Sequence, residues 1–230
     1  VAKIPEELIT SSIENRAKTV VYGSRSSAKI EVGTGNLVIL SSPDNMYMLD
    51  LETGTRRPGT LHDCAMMARL IDALDYFHIC CVPVVPKEPP PQLRSLYGMA
   101  EVIRNTEKHC LVCPGDAAEA RYCVEIAEVV AGGRDELETN PVISTVICPS
   151  SPLRFPANSL DLISIFSQNA LPIVIIPAPL AGVGSPVTMA GTLAVANAEA
   201  LAGVAMIQVL NEGSPVGYGG SSIPFDMRYG

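Results

Sequence analysis

The final third of the chain constrains the fold more than any other stretch. An apolar run at 171–180 (LPIVIIPAPL) leads into a Pro/Gly-rich loop at 181–186 (AGVGSP), and a small-residue helix is expected over 187–210. A second apolar piece with a polar turn follows at 215–221 (PVGYGGS), and Asp226 and Arg228 come close behind. A buried strand delivers a loop, a helix returns, and the next strand delivers another loop. Repeated, this pattern gives parallel strands whose chemistry sits on the loops that follow them, as in a β/α barrel.

The same unit recurs upstream at intervals of about 30–35 residues, the size of a βα module. Strands are expected over 78–85, 109–114, 142–149, 173–177 and 215–218, with helices over 92–104, 117–131, 158–168 and 187–210. Leu93, Leu96, Ala100 and Ile103 share one helical face, as do Ala120, Cys123, Ala127 and Val130. The strands are near-continuous apolar runs, as parallel strands covered on both faces should be. Such repetition permits an open doubly wound sheet or a closed eightfold barrel. The dinucleotide-binding version of the open sheet fits poorly. Gly182 and Gly184 lie between strand and helix, but the third glycine position is Val187.

Residues 1–59 read differently, as an α+β accessory layer. A helix is expected from Pro5 to about Ala17, with Glu6 and Glu7 in its first turn. Strands are expected over 19–22, 28–32, 36–40 and 46–51, and this layer is not expected to carry catalytic groups. The partial barrel is expected from residue 60. There Thr60 and Asp63 form a capping box before a helix to about Leu74. Only about five of a barrel's eight strands fit within the chain. With its start at Val1 and its end at Gly230, the expectation is an incomplete piece of a longer protein, inactive alone.

Composition narrows the function. Hydrophobic residues make up 47% and charged residues 17%, with net charge −8 and no Lys/Arg run. Phosphate-backbone binding needs clustered basic groups, so nucleic acid is disfavoured. Between residues 171 and 210 Glu199 is the only charge, a run long enough to suggest a membrane span. Pro172, Pro177, Pro179 and Pro186 break it, so a buried strand and helix are expected instead.

The seven cysteines lie mostly in apolar runs and read as reduced core residues of a cytoplasmic protein. Cys110 and Cys113 after His109 have metal-like spacing. In a strand, however, residues three apart point to opposite faces, so no metal centre is expected. The three histidines fall at helix or strand starts, away from the chemistry-bearing end.

The strand ends supply the candidate binding residues Asp116, Ser150, Ser151, Ser185, Tyr218, Phe225, Asp226 and Arg228. Ser185 and Pro186 read as an N-cap with Pro at N1, serving either as a plain cap or as an anion site. Asp226 and Arg228, flanked by Phe225 and Tyr229, read equally as a substrate clamp or a loop salt bridge. No catalytic residue is singled out.

These residues carry a resemblance. The chain resembles the trimethylamine methyltransferase family at 49–58 (LDLETGTRRP), 83–86 (PVVP), 148–154 (CPSSPLR), 179–182 (PLAG), 186–193 (PVTMAGTL), 197–203 (NAEALAG) and 226–228 (DMR). The resemblance implies a TIM-type (β/α)8 barrel. It also implies methyl transfer from a tertiary or quaternary amine, trimethylamine or glycine betaine, to the Co(I) corrinoid (cobalamin) of a separate corrinoid protein. No cofactor bound directly to this chain is implied, and a homo-oligomer is compatible with the reading. Some members carry pyrrolysine, at a position beyond Gly230. Tyr218, Phe225 and Tyr229 are the aromatic candidates for an ammonium head, with Ser185 or Arg228 for a betaine carboxylate. A non-catalytic ligand-binding barrel and a barrel hydrolase or lyase using Asp116 or Asp226 stand as alternatives.

Overall fold

The structure, a computed structural model, describes residues 2–226 and Arg228. Helix α1 (Glu6–Asn15) opens the chain, with Glu6 and Glu7 in its first turn. Strands β1 (Val20–Tyr22) and β2 (Ile30–Val32) form an antiparallel hairpin. A second antiparallel hairpin joins β3 (Tyr47–Leu49) to β4 (Arg56–Pro58). Strand β4 was not expected. It forms because Asp50 Oδ1 accepts from the Glu52 and Thr53 N–H groups and turns the chain back.

The strand expected over 36–40 keeps only an isolated bridge at Leu40. Helix α2 (Leu61–Ala73) follows with both bonds of its capping box made, between Thr60 and Asp63. Arg57 grips the same Asp63 carboxylate through two nitrogens at 2.7 and 2.8 Å, tying the second hairpin to α2.

The repeating units come next. They are β5 (Ile79–Cys81), α3 (Arg94–Asn105), β6 (His109–Val112), α4 (Ala117–Ala131), α5 (Arg134–Thr139), β7 (Ile143–Ile147), α6 (Ala157–Gln168) and β8 (Ile173–Ile175). The short α5 escaped the sequence reading because six residues hold too little periodicity. The chain then forms β9 (Leu180–Ala181), α7 (Met189–Leu210), β10 (Val216–Tyr218) and β11 (Ile223–Pro224), with β11 parallel to β9.

The main sheet is parallel throughout, in the spatial order β5–β6–β7–β8–β10, and it is open. No strand order reverses, as it would at the switch point of a doubly wound sheet. Cys80, Val82, Cys110, Val112, Ile143, Ile173, Ile175 and Val216 face one way. They share a single core with residues of α2, α3, α4, α6 and α7. The opposite, inner face carries Ile79, Cys81 and Leu111, covered near the strand starts by Val20 and Tyr22 of the first hairpin. Adjacent Cys80 and Cys81 thus enter different cores, and so do Cys110 and Cys113. All seven cysteines are free thiols.

Residues 39–45 extend the sheet beyond β5. Leu40 and Asn45 bridge Ile79 and Val84 in parallel, and Ser41 N–H and Asp44 N–H donate to Ile79 O and Val82 O. This irregular strip lies within the expected accessory layer yet belongs to the sheet by hydrogen bonding.

Helix α7 is long and apolar enough to cross a membrane by length and composition. Here Ala200, Val204 and Ile207 are buried in the core shared with the strands. Gly203 lets α7 approach β8 closely, since a Cβ there would lie 2.8 Å from Ile175 Cγ1. The helix begins at Met189, with Thr188 Oγ1 accepting from Gly191 N–H. That corrects the expectation that Ser185 and Pro186 cap it. The cap fell to the hydroxyl placed nearest the first free N–H groups.

Candidate functional site

All five strands of the sheet run parallel, so their carboxyl ends open at one edge. Register fixes which residues meet there on the inner face. Cys113 lies level with Val146, which pairs with Val174, which pairs with Gly217. One step further out come Cys148, Ile176 and Gly219, with the ladder continued by Ile176 N–H to Ile147 O and Gly219 N–H to Ile175 O. The inner mouth is therefore thiol, aliphatic and glycine, with no side chain there that donates or accepts strongly.

One carboxylate adjoins this surface, and the sequence reading missed it. Asp44 sits in the strip beside β5 at a positive φ of 50°, its main chain held by the 2.8 Å bond to Val82 O. Its side chain meets the Cys113 thiol, which donates to it. Burial pushes the Asp44 carboxyl above its ordinary range, an effect the Cys113 hydrogen bond partly offsets. Burial likewise drives the Cys113 thiol far up, reinforced by the Asp44 charge, so it is no nucleophile. The usable signal lay in the PDN turn at 43–45, because Asp tolerates the left-handed region better than most residues.

The expected site residues take diverse posts. Asp116 caps α4, with Oδ1 accepting from Ala118 N–H and Glu119 N–H at 2.8 and 2.9 Å. Ser150 N–H bonds Arg154 O across a tight turn. Ser151 Oγ donates to Glu199 Oε2 at 2.8 Å, and Leu153 N–H to Glu199 Oε1 at 2.7 Å. Glu199 is only 1% exposed, so a buried acid on α7 holds the loop after β7.

Ser185 stitches its own loop, with Oγ bonded to Leu180 O and to Thr192 Oγ1, both at 3.0 Å. The loops carrying Ser151 and Ser185 adjoin, since a Cβ on Gly184 would lie 3.7 Å from Ser151 Cβ. Tyr218 points to the helix side, where its hydroxyl donates to Asn197 Oδ1 at 2.7 Å. Phe225 N–H donates to Ala181 O, which brings the Phe225 loop to the β8–α7 loop. Asp226 Oδ1 accepts from the main-chain N–H of Arg228 at 2.9 Å. Tyr229 lies outside the described residues.

Two clefts lie elsewhere. One of about 580 Å³ runs over Leu153, Arg154, Phe155, Glu199 and Met206. Another, of about 290 Å³, lies between α1, the first hairpin and the β10 edge. Neither is lined by the inner mouth of the sheet, where register gathers the strand ends. Among the described residues no three His, Cys, Asp or Glu side chains converge to hold a metal.

A family model described as trimethylamine methyltransferase (MTTB) matches residues 1–230. The chain belongs to that family. Among curated relatives, it is 28% identical to the trimethylamine methyltransferase MttB of Desulfitobacterium hafniense over 99% of this chain and 46% of the relative. It is 29% identical to a glycine betaine methyltransferase from the same species, over 99% of this chain and 48% of that protein. With the trimethylamine methyltransferase MttB of Methanosarcina thermophila it shares 31% identity, over 73% and 35% of the two chains. The chain thus spans about half the length of the first two relatives. The family's named members here are methyltransferases, so the chain is placed with transferases.

Proposed function

We propose that this chain forms part of a β/α barrel that binds a tertiary or quaternary methylated amine. In this reading it directs transfer of a methyl group to the Co(I) corrinoid of a separate partner protein, in the cytoplasm. The barrel reading is supported by the unreversed strand order and by helices packed on a single face, both of which closure requires. The substrate reading draws on relatives named for trimethylamine and for glycine betaine.

The observation that carries the reaction class is the character of the inner mouth. It presents thiols, Val146, Val174, Ile176 and two glycines, without a paired acid and base. Hydrolysis or elimination needs such a pair. Asp116 and Asp226, the carboxylates available for that chemistry, are engaged as a helix cap and a loop bond. Methyl transfer from a quaternary nitrogen needs neither. The C–N bonding pair stays on nitrogen, and a neutral amine departs. The corrinoid, carried by the partner, supplies the nucleophile. This chain's residues orient the cation and keep water out.

The test uses full-length protein, a reduced corrinoid protein and a panel containing trimethylamine and glycine betaine. Loss of the Co(I) absorbance with one of these amines is the expected result. Amine binding by calorimetry without that loss refutes the transfer. The 230-residue chain alone is expected to be inactive, because it spans about half of its relatives.

A further inference from the structure

We infer that Asp44 is the anionic group that receives the ammonium head of the amine at the inner mouth, an assignment that rests on the methyltransferase reading. A quaternary ammonium ion has no N–H to donate, so hydrogen-bond acceptors cannot select it. It is recognised by apolar walls for its methyl groups and a nearby negative charge for its spread positive one. The inner mouth offers both.

Register places Asp44 beside Pro83, level with Cys113, Val146, Val174 and Gly217. Those strand neighbours on the inner face are uncharged. On the β10 side Gly217 and Gly219 contribute no side chain, so the inner surface opposite the strip is left unfilled. The carboxylate stands at one rim of an aliphatic and thiol surface that suits methyl groups.

Three features set Asp44 apart from an ordinary surface aspartate. It meets no cationic side chain among the ion pairs of the described residues, unlike Asp50 and Asp63, which share Arg57. Its main chain is pinned to the sheet at Val82 O in the left-handed region, so the side chain leaves from a fixed point. Its one close polar neighbour is the Cys113 thiol, a weak donor that leaves most of the charge unanswered. A desolvated carboxylate without a counter-ion is costly to keep. A cationic ligand supplies the missing partner.

The assignment also gives a purpose to the strip at 39–45. It carries a charge from the N-terminal layer to the mouth, where the β5, β6, β7, β8 and β10 strand residues supply none on the inner face.

The experiment measures binding of choline and of its uncharged isostere, 3,3-dimethyl-1-butanol, to full-length protein by calorimetry. The variants are Asp44→Asn and Asp44→Glu. Asparagine accepts the left-handed backbone as readily as aspartate, so Asp44→Asn removes the charge without straining the chain. Choline binding is expected to weaken roughly 10- to 100-fold in Asp44→Asn, the range for losing a close charge partner in a partly desolvated site. The uncharged isostere should change less than about twofold, and Asp44→Glu should recover part of the loss. With an amine and reduced corrinoid protein, kcat/KM should fall in parallel with choline affinity.

Choline affinity within twofold of wild type in Asp44→Asn overturns the assignment. An equal loss for the uncharged isostere overturns it too, because that outcome marks a structural role. If wild-type protein transfers methyl groups while Asp44→Asn is unimpaired, the assignment fails and the methyltransferase reading stands. If wild-type protein neither binds nor demethylates any methylated ammonium compound, both fall.

Discussion

Replacing Glu199 with alanine tests the way the loop after β7 is held. The carboxylate is 1% exposed and accepts from Ser151 Oγ at 2.8 Å and Leu153 N–H at 2.7 Å. Both bonds cross from α7 to a loop more than forty residues earlier in sequence. A hydrogen bond to a charged group contributes about 1.5–3 kcal/mol, and a buried donor left without a partner costs about 1–3 kcal/mol. The Ser151 hydroxyl can rotate to another acceptor, whereas the Leu153 N–H cannot. The expected loss for Glu199→Ala is therefore about 3 kcal/mol.

For a chain of this length that loss lowers the melting temperature by roughly 6–12 °C. Glu199→Gln keeps an oxygen for Leu153 N–H and an amide opposite Ser151, so about half the loss is expected. Thermal melting gives the global value, and amide exchange at Leu153 gives the local one, with faster exchange in the alanine variant. A Glu199→Ala protein melting within 2 °C of wild type, or a glutamine variant as damaged as alanine, refutes the reasoning.

Other perturbations have equally definite outcomes. His109 is fully buried, bonded to Gly23 O, Pro141 O and Ser144 Oγ, and burial pushes its pKa from 6.5 down to about 4. The unfolded chain takes up that proton first. Stability is thus complete above about 6.5 and falls by roughly 3 kcal/mol or less as pH drops towards 4, a slope that His109→Asn should flatten in denaturant titrations.

Asp63 behaves differently. Its pKa is lowered from 3.8 to about 2, chiefly by the Arg57 hydrogen bonds against the opposing cost of burial. The stability it adds is intact above about 3.8 and disappears only as pH falls towards 2, and Asp63→Asn should remove that acid limb. Gly203→Ala should cost about 1–3 kcal/mol, because its Cβ would meet Ile175 at 2.8 Å, and melting curves would show it. Thiol titration of the native protein should find Cys148 reacting first, since it is the exposed cysteine and Cys64, Cys80, Cys81, Cys110 and Cys123 are buried.

The sheet was readable in the sequence because its strands are doubly covered and its helices periodic. Apolar runs at 109–114 and 142–149 became β6 and β7, and the Thr60 and Asp63 spacing became a working capping box. What escaped was set by tertiary contact. The Asp44 strip has no apolar alternation, since its pairing depends on the β5 edge rather than on its own side chains. Glu199 read as a charge that argued against a membrane span, and its bonds to a loop 46 and 48 residues earlier leave no local trace. Ser185 and Pro186 make a strong local cap signal. The chain nevertheless delayed the helix to Met189, because Ser185 Oγ was recruited to Leu180 O and Thr192.

The way the first hairpin is moored bears on how the chain folds. Gly23 N–H reaches Pro141 O, Arg25 N–H reaches Glu107 O, and residues 39–45 wait for β5. An N-terminal segment emerging first from the ribosome finds its partners only after more than a hundred further residues have been synthesised. Until then its apolar strands stay exposed. Non-local closure of this kind slows folding and leaves early intermediates sticky, so chaperone dependence during synthesis should centre on the first forty-five residues.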